Sequence, residues 1–582
     1  MGEEIIGQED SKRSYSTTPA AELNNEKNEG SVLEFRGVRS HMRSVRSHRA
    51  GEVNYINSAT SNTDKELLAE IGYKQELQRK FSTIQVFGVA FSIMGLLPSI
   101  GTLLSDGLAG GPVSTVWGWL IAGFFISVLG LAMAENASAI PTAGGLYYWT
   151  YYYAPKGYKA VMSFIIGCSN SLALTAACCS ITYGFAEEVL AAVVLTNDGN
   201  FDVTNGKLYG IYAGAAIMMG VCTCLASGFV AKLQTLSIIS NLFIIALFFI
   251  ALPIGTKVNR GRFNHGHFIF AKYENFSDWN NGWQFCLAGF MPAIWTIGGF
   301  DSCVHQSEEA KDAKKSVALG IVGSISVCWV LGWFILIVLL ACMDPDVSKT
   351  MNTKYVLAIA QIIYDCLGKS WAIAFMSLIA FCQFLMGAST ITAISRQIWA
   401  FSRDNGLPFS KYIKKVNKTY SIPFVAVIAA CCGTLVLGLL CLQDEAANAL
   451  FSLAVAGNNL SWGTPTFLRL TFGKDLFRPG PFYMGRFLST LNGWTSVIWG
   501  LFAIILVMFP TNQHNVTPQS MNYACVIGPG VWILSFIYYI TYKKKYYHGP
   551  ASNLTEEEYV EALGDEVLDN IDNVLSQPEK AV

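Results

Sequence analysis

The chain of 582 residues is 52% hydrophobic and only 14% charged, with a formal net charge of −1. Such an apolar composition at this length excludes an ordinary soluble globular protein and predicts a polytopic membrane protein. The fifteen cysteines show no metal-ligating spacing, so we expect neither a metal site nor a disulfide framework. No cofactor or nucleic-acid partner is expected, and the sequence leaves the oligomeric state open.

The first 80 residues are polar, and we interpret 1–80 as an amino-terminal tail. Serine, asparagine, glutamate and arginine dominate up to about residue 60, a composition typical of disorder. Leucine and isoleucine at near-helical spacing over 65–80 predict a short helix on the membrane surface. No apolar stretch follows a basic start here, so we expect no cleaved signal peptide.

Beyond this tail, stretches that are apolar enough to cross about 30 Å of hydrocarbon recur twelve times. They predict an all-α fold with twelve transmembrane helices, ten in a core over 81–470 and two over 471–542. The first, third, sixth and eighth stretches contain glycines, small residues or polar groups, and we expect these four to face a pathway. The predicted spans are 83–104, 113–134, 159–190, 208–226, 237–254, 285–305, 317–342, 372–401, 424–442, 447–468, 491–509 and 525–542.

Lysine and arginine gather on one side of this twelve-span arrangement, which predicts that this side is cytosolic. The amino-terminal tail, the loops after the sixth and eighth spans and the segment after residue 542 are basic. The opposite connections are poorer in positive charge, apart from the long loop after the fifth span. Both termini are therefore expected in the cytosol, with 543–582 as a solvated tail. The aromatic run YYWTYYY at 147–153 is interpreted as an interfacial belt on the cytosolic face.

An aspartate stands in an otherwise membrane-grade segment, where Asp301 follows Gly298 and Gly299 in the run TIGGFD. A charged group at mid-bilayer is unfavourable by about 2.5–3.5 kcal/mol on insertion scales, so Asp301 must face protein, water or a ligand. The glycine pair relaxes the backbone and lets helix carbonyls turn toward something other than the next helical turn. The pattern predicts that the sixth helix is broken.

A second break is predicted in the first span, where the run SIMG precedes Pro98. Proline cannot donate a backbone N–H and disturbs the preceding turn. Spans one and six are equivalent members of a five-plus-five inverted repeat, the LeuT-like arrangement, in which broken helices mark the substrate site. The predicted function is therefore secondary transport. The residues of the run are Ser92, Ile93, Met94 and Gly95.

Four segments carry a resemblance to a known family: GYKQELQRKFS at 72–82, ENASAIPTAGGLYYWTYYYAP at 135–155, GGFDSCVHQSEEAKDA at 298–313 and SRQIWAFSRDNGLP at 395–408. The chain beyond about residue 50 resembles the amino acid–polyamine–organocation superfamily, and within it the fungal amino acid/choline permeases. The resemblance implies a permease with its transport core over 81–470, 4-aminobutyrate (GABA) as substrate, and putrescine and 5-aminolevulinate as further substrates. It also implies proton coupling and the vacuolar membrane as location, with the plasma membrane as the alternative.

GABA carries an ammonium and a carboxylate at opposite ends, so its site needs opposite potentials at its two ends. Backbone N–H groups after the first break, near Gly95, form a helix amino terminus that attracts a carboxylate. Carbonyls near Ile297 can take the ammonium, with Asp301 adding charge. Trp295 and Phe300 pack either on the substrate or in the ordinary core. The predicted substrate-binding residues are Ser92, Ile93, Met94, Gly95, Trp295, Ile297, Gly298, Gly299, Phe300 and Asp301.

Proton coupling requires a titratable group whose charge changes with access, and Asp301 and His305 are the predicted proton-coupling residues. They lie one helical turn apart, a spacing that places both side chains on one face. The alternative is that His305, with Glu308 and Glu309, ends the helix at the cytosolic surface. Many proton-coupled members of the superfamily carry a lysine where this chain has Asn241, so a fixed-lysine mechanism is not expected here.

Other functional classes make distinguishable predictions. A permease for choline or another organic cation would share the fold and Asp301, but it would not depend on a substrate carboxylate. A nutrient sensor that binds without transport would keep the same site. A membrane enzyme would need a catalytic cluster, and the seven histidines are scattered without triad or metal spacing. We therefore expect no enzymatic activity.

Overall fold

The computed structural model describes residues 68–69, 71–225, 227–417, 420, 422–514, 516–517 and 521–553. Within these ranges the regular elements are helices, which agrees with the predicted all-α class. The tail predicted to be disordered up to about residue 60 and the acidic residues 554–582 lie outside the described residues.

The helices of the described residues follow the apolar stretches of the sequence. Short 3-10 helices at Ser307–Glu309, Gly438–Leu442 and Lys543–Lys545 supplement them. In chain order the α-helices are α1 (Thr83–Met94), α2 (Leu96–Leu108), α3 (Gly111–Ala139), α4 (Gly145–Tyr153), α5 (Lys159–Thr196), α6 (Asn205–Thr223), α7 (Ser227–Asn259), α8 (Gly266–Ala271), α9 (Asn281–Thr296), α10 (Ser302–His305), α11 (Ala313–Cys342), α12 (Val347–Met351), α13 (Ala358–Leu367), α14 (Lys369–Arg403), α15 (Ser410–Ile413), α16 (Phe424–Leu437), α17 (Asp444–Leu470), α18 (Arg486–Leu506) and α19 (Ala524–Thr541).

Each predicted span overlaps at least one of these helices. Among the described residues, nine helical segments are long and apolar enough to cross a membrane, with α1 and α2 counted as one. The predicted spans 208–226, 285–305 and 447–468 are not among the nine, because α6 and α17 are more polar and α9 has only 16 residues. The architecture is that of a polytopic, all-helical membrane protein.

The helices α5 and α14, with 38 and 35 residues, are the longest and pack along each other at the centre. The helix α17 packs against α5, and α11 packs against α3 and α1. In the most apolar stretch of α1 and α2, 89% of the residues are buried inside the protein. In the most apolar stretch of α19, only 17% are buried. The broken first span is therefore interior, whereas α19 lies at the periphery with most of its surface left for lipid.

The predicted surface helix over 65–80 is wrong for 71–80, which is irregular. Gly72 has a φ of 93°, a conformation that ends a helix. Leu77 and Phe81 are buried, and the Phe81 backbone bonds with Glu309 and Lys311 at 3.0 Å each. The apolar side chains of this segment thus cover the protein interior instead of facing the membrane surface.

The aromatic run 147–153, predicted as an interfacial belt, is buried within α4. The Tyr147 hydroxyl donates to Asp404 Oδ2 at 2.7 Å, and the Tyr148 hydroxyl donates to the Ile71 carbonyl at 3.3 Å. Segments distant in sequence cover this helix. These tyrosines are therefore interior hydrogen-bond donors, and the prediction that they anchor the protein at the interface is wrong.

The carboxyl-terminal tail, predicted to be solvated over 543–582, is partly packed over 543–553, where Lys543, Tyr547, Gly549 and Pro550 are buried and 544–546 are exposed. Tyr547 is fully buried, and its hydroxyl lies 2.7 Å from Ser163 Oγ. The Asn553 N–H donates to the Gly72 carbonyl at 3.2 Å, and the Lys74 N–H donates to Asn553 Oδ1 at 2.8 Å. The two described chain ends therefore meet on one side of the helical bundle.

Candidate functional site

The first span is broken at a single glycine. The helix α1 ends at Met94, Gly95 has φ 38° and ψ 67°, and α2 begins at Leu96. A left-handed backbone suits glycine, and a Cβ at this position would lie 2.5 Å from Met386 Sδ. Pro98, in contrast, lies in the first turn of α2, where proline is tolerated. Among the described residues, no side chain caps the start of α2, so its backbone N–H groups are left for another partner.

The sixth span is broken over a longer stretch. The helix α9 ends at Thr296, and α10 begins at Ser302 and has only four residues. Between them Gly299 has a φ of 75°, and an added Cβ there would lie 2.6 Å from Ile93 Cγ2. Both predicted breaks are therefore present, and they touch each other.

A small cavity lies beside the two breaks. Four predicted site residues line it: Ile93, Trp295, Gly298 and Gly299. The rest of its wall comes mainly from α5, α14 and α17, for example from Ile181 of α5. The lining helices α1, α5, α9 and α14 overlap the first, third, sixth and eighth predicted spans, and α17, which overlaps the tenth, joins them at this cavity.

The helix α17 supplies a polar part of the wall that the sequence prediction missed. Asn458, Asn459 and Trp462 line the cavity, and Asn458 Oδ1 is buried without a hydrogen-bond partner among the described residues. Thr390 of α14 adds a hydroxyl. An unpaired amide oxygen can accept a hydrogen bond from an ammonium group. The available signal was an asparagine pair inside a predicted span.

The other predicted site residues do not line the cavity. Ser92 Oγ lies 2.6 Å from Ser237 Oγ and 2.8 Å from Ser389 Oγ, and so joins α1 to α7 and α14. Phe300 packs on Trp462 with ring centroids 4.4 Å apart, and so supports the wall from behind. The remaining predicted residues, buried beside the breaks, are Met94, Gly95, Ile297 and Asp301.

Asp301 and His305 are close together and fully buried. Asn170 Nδ2 donates to Asp301 Oδ2 at 3.0 Å, and His305 Nε2 lies 3.7 Å from the same oxygen. His305 Nδ1 is 3.0 Å from the Ala143 carbonyl, which favours a proton on Nδ1. A second proton on Nε2 would face the Asp301 carboxylate. No metal-binding group of three or more His, Cys, Asp or Glu occurs among the described residues.

Two buried ion pairs follow α10. Arg403 donates from both Nη atoms to the Glu308 carboxylate at 2.9 and 3.0 Å, and Arg396 Nε donates to Glu309 Oε1 at 2.7 Å. All four side chains are at most 3% exposed. The alternative that His305, Glu308 and Glu309 end the helix at the surface is therefore wrong. The sequence prediction missed both arginines, although they lie in the family segment 395–408.

Asp404, the residue directly after α14, accepts hydrogen bonds from three separate segments. The Tyr73 and Tyr147 hydroxyls donate to Oδ2 at 3.0 and 2.7 Å, and the Ala551 N–H donates to Oδ1 at 3.1 Å. Burial raises the pKa of the Asp404 carboxyl to about 6, against the opposing effect of the Arg403 guanidinium. The carboxyl ties both described chain ends to α14.

Comparison with known proteins agrees with this architecture. The sequence profile of the amino acid permease family matches residues 81–532. The GABA-specific permease of Saccharomyces cerevisiae is 69% identical over 544 residues, which cover 93% of this chain and 95% of the relative. Two uncharacterized amino-acid permeases of Schizosaccharomyces pombe are 34% and 33% identical, covering 85% and 86% of this chain and 91% and 92% of theirs. These relatives are transporters, not enzymes. The chain belongs to the amino acid permease family of multi-pass membrane proteins.

Proposed function

We propose that this protein is a secondary active transporter for GABA. The observation that carries the proposal is the contact of two broken helices beside one cavity, where Gly299 meets Ile93. Paired broken helices form substrate sites in transporters built from inverted repeats. GABA is the substrate named for the Saccharomyces cerevisiae relative, which is 69% identical. The proposed architecture has twelve spans in a LeuT-like five-plus-five repeat, with α6, α17 and the pair α9 and α10 as the spans beyond the nine apolar segments.

The two helix ends provide the opposite potentials that GABA needs. The uncapped start of α2 presents N–H groups and the positive end of the helix dipole to a carboxylate. The carbonyls at the end of α9, near Ile297, together with Asn458 Oδ1 and Asp301, supply negative potential for the ammonium. Trp295 and Ile181 offer apolar surface for the methylene chain between the two charges.

Radiolabelled GABA flux into vesicles that contain the purified protein tests this function. We expect uptake that is competed by unlabelled GABA and that responds to an imposed proton gradient. Putrescine and 5-aminolevulinate are expected to compete more weakly. Uptake competed by choline but not by GABA would instead support an organic-cation permease. GABA binding without flux would support a nutrient sensor.

We further propose the vacuolar membrane as location, with both termini in the cytosol. The location rests on the family resemblance, and the orientation rests on the basic residues of the amino-terminal tail and of the loops after the sixth and eighth spans. The location and the orientation are both tested by adding protease to intact vacuoles whose copies of this protein carry a tag at one terminus. Tags that are cleaved support the orientation, protected tags reverse it, and tags found at the plasma membrane support the alternative location.

Asp301→Asn is expected to reduce uptake driven by a pH gradient about tenfold or more. The amide cannot bind and release a proton as a carboxyl does, and hydrogen bonds to a neutral amide are weaker than those to a carboxylate. Exchange of labelled for unlabelled GABA at equal pH should fall less. Asp312→Asn is the matched control, since the Asp312 side chain is 62% exposed. Full retention of gradient-driven uptake in Asp301→Asn would remove Asp301 as the proton carrier.

A further inference from the structure

Glu188 of α5 is a buried carboxyl that the proposed site does not use. It is 0% exposed, and neither carboxyl oxygen has a hydrogen-bond partner among the described residues. The buried Glu135, Glu308 and Glu309, by contrast, each face an arginine. An ionised carboxylate without such a partner is strongly unfavourable in an interior, whereas a neutral carboxylic acid is much less so.

Glu188 lies farther along α5 than the cavity and on the same face. Ile181 lines the cavity, and Glu188 follows it by about two helical turns. Asn170, which bonds Asp301, lies before the cavity on the same helix. Glu188 is therefore separated from the Asp301 and His305 pair and lies toward the end of α5 that faces away from the cytosol in the proposed orientation.

Three helices converge one turn before Glu188, at a point that we name the α2–α5–α14 junction. A Cβ on Gly184 of α5 would lie 2.8 Å from Thr102 Cγ2 of α2 and 2.9 Å from Gln383 Nε2 of α14. Gln383 Nε2 donates to the Ile181 carbonyl at 3.0 Å, while its Oε1 is buried without a hydrogen-bond partner among the described residues. The junction is therefore closed here and leaves little room for water.

The ionisable groups that act on Glu188 in the described structure are Glu187 on its own helix and the Cys382 thiol on α14. Neither carries a positive charge, so neither can stabilise an ionised Glu188. Water would have to do so, and water reaches this point only if the junction opens. The closed junction thus favours the proton-bound carboxyl, and an open junction admits the ionised one.

We propose that Glu188 is a proton-binding site and that its protonation is required for the α2–α5–α14 junction to close. While the junction is open, a carboxylate oxygen takes a proton from hydronium on the side opposite to the cytosol and leaves water. The proton returns to water when the junction reopens at higher pH. This inference rests on the proton-coupled transport proposed above and places a further proton-binding group apart from the proposed coupling residues Asp301 and His305.

Glu188→Gln tests the inference, because glutamine copies the protonated acid in shape and charge. GABA exchange is measured in vesicles at equal pH on both sides over a series of pH values. We expect wild-type exchange to slow at alkaline pH as Glu188 ionises, and the ratio of acidic to alkaline rates in the variant to fall toward one. Glu188→Leu, which suits the apolar surroundings, should lower the ratio in the same way, so the result does not depend on one substitution.

Asp198→Asn is the matched control, since this carboxyl follows the same end of α5 and its side chain is 68% exposed. It should keep the wild-type profile. A pH response that survives unchanged in Glu188→Gln overturns the inference alone, and so does a lower rate with the wild-type profile, which indicates a structural role. A wild-type protein that responds neither to pH nor to a proton gradient overturns the proposed proton coupling and the inference with it.

Discussion

Replacement of Arg403 by methionine is expected to lower the free energy of unfolding by about 3–5 kcal/mol, because Glu308 would keep a buried charge without its partner. Glu308 is 1% exposed, and its other donors are the Ala143 N–H at 3.1 Å and the Thr142 hydroxyl at 3.3 Å. These neutral groups do not replace a guanidinium that bonds both carboxylate oxygens. Thermal unfolding of the purified protein in detergent measures the effect, and transport should be lost with the fold.

The matched control for this substitution is Lys315→Met. It breaks an ion pair in which Lys315 Nζ lies 3.6 Å from Asp312 Oδ2 and both side chains are 62% exposed. We therefore expect the free energy of unfolding to fall by less than about 1 kcal/mol. Glu308→Gln combined with Arg403→Met removes both charges and should recover most of the stability. An unchanged unfolding temperature in Arg403→Met would mean that Glu308 does not carry a buried charge in the native protein.

Gly299→Ala is expected to reduce GABA uptake about 10- to 100-fold, since the left-handed backbone alone disfavours alanine by about 1–3 kcal/mol. Gly299 has a φ of 75°, and its added methyl group would lie 2.6 Å from Ile93 Cγ2. The substitution therefore pushes apart the two breaks at the wall of the cavity. Initial rates of uptake at low and at saturating GABA measure the loss.

Gly214→Ala controls for the change from glycine to alanine in itself. Gly214 lies within α6, and an added methyl group there would have no heavy atom of another described residue within 4 Å beyond its own helix backbone, so uptake should stay at the wild-type level. Ile93→Ala combined with Gly299→Ala removes the steric overlap and should recover part of the uptake. Wild-type uptake in Gly299→Ala would contradict the close contact of the two breaks during transport.

The membrane class, the helical fold and both helix breaks could be predicted from the sequence because they depend on local properties. Apolar length predicts a span, and a glycine in an apolar run marks a place where the backbone can leave the helix. The exact position of the break within the first span was harder to predict. Pro98 is the stronger helix breaker, yet the break lies at Gly95, because proline can occupy the first turn of the following helix.

The buried ion pairs and the interior tyrosines could not be predicted in the same way. Glu308 and Arg403 are 95 residues apart in sequence, and Glu309 and Arg396 are 87 apart. Periodicity describes which face of one helix is apolar, but it does not show which distant segment covers that face. A charged pair that looks solvated, or a run of tyrosines that looks interfacial, is therefore misread when its partner lies elsewhere in the chain.

The candidate site was predicted in part for a related reason. Ile93, Trp295, Gly298 and Gly299 line the cavity, whereas Ser92 and Phe300 contact other partners. Helical spacing predicts common faces only while the helix continues, and both breaks interrupt it. The polar wall from α17 was missed because the prediction looked for glycines and acidic residues. A neutral amide such as that of Asn458 is neither.

The meeting of the two chain ends has a consequence for how the protein is made. Lys74 bonds Asn553 across 479 residues of sequence, and Ala551 bonds Asp404. Ribosomes synthesise chains from the amino terminus, so residues 551–553 emerge after helices α1 to α19 have been translated. The segment around Lys74 therefore lacks these hydrogen-bond partners until residues 551–553 have been translated. Closure of this side of the bundle therefore requires residues 551–553, and a chain that terminates just before Ala551 would contain helices α1 to α19 but lack this closure.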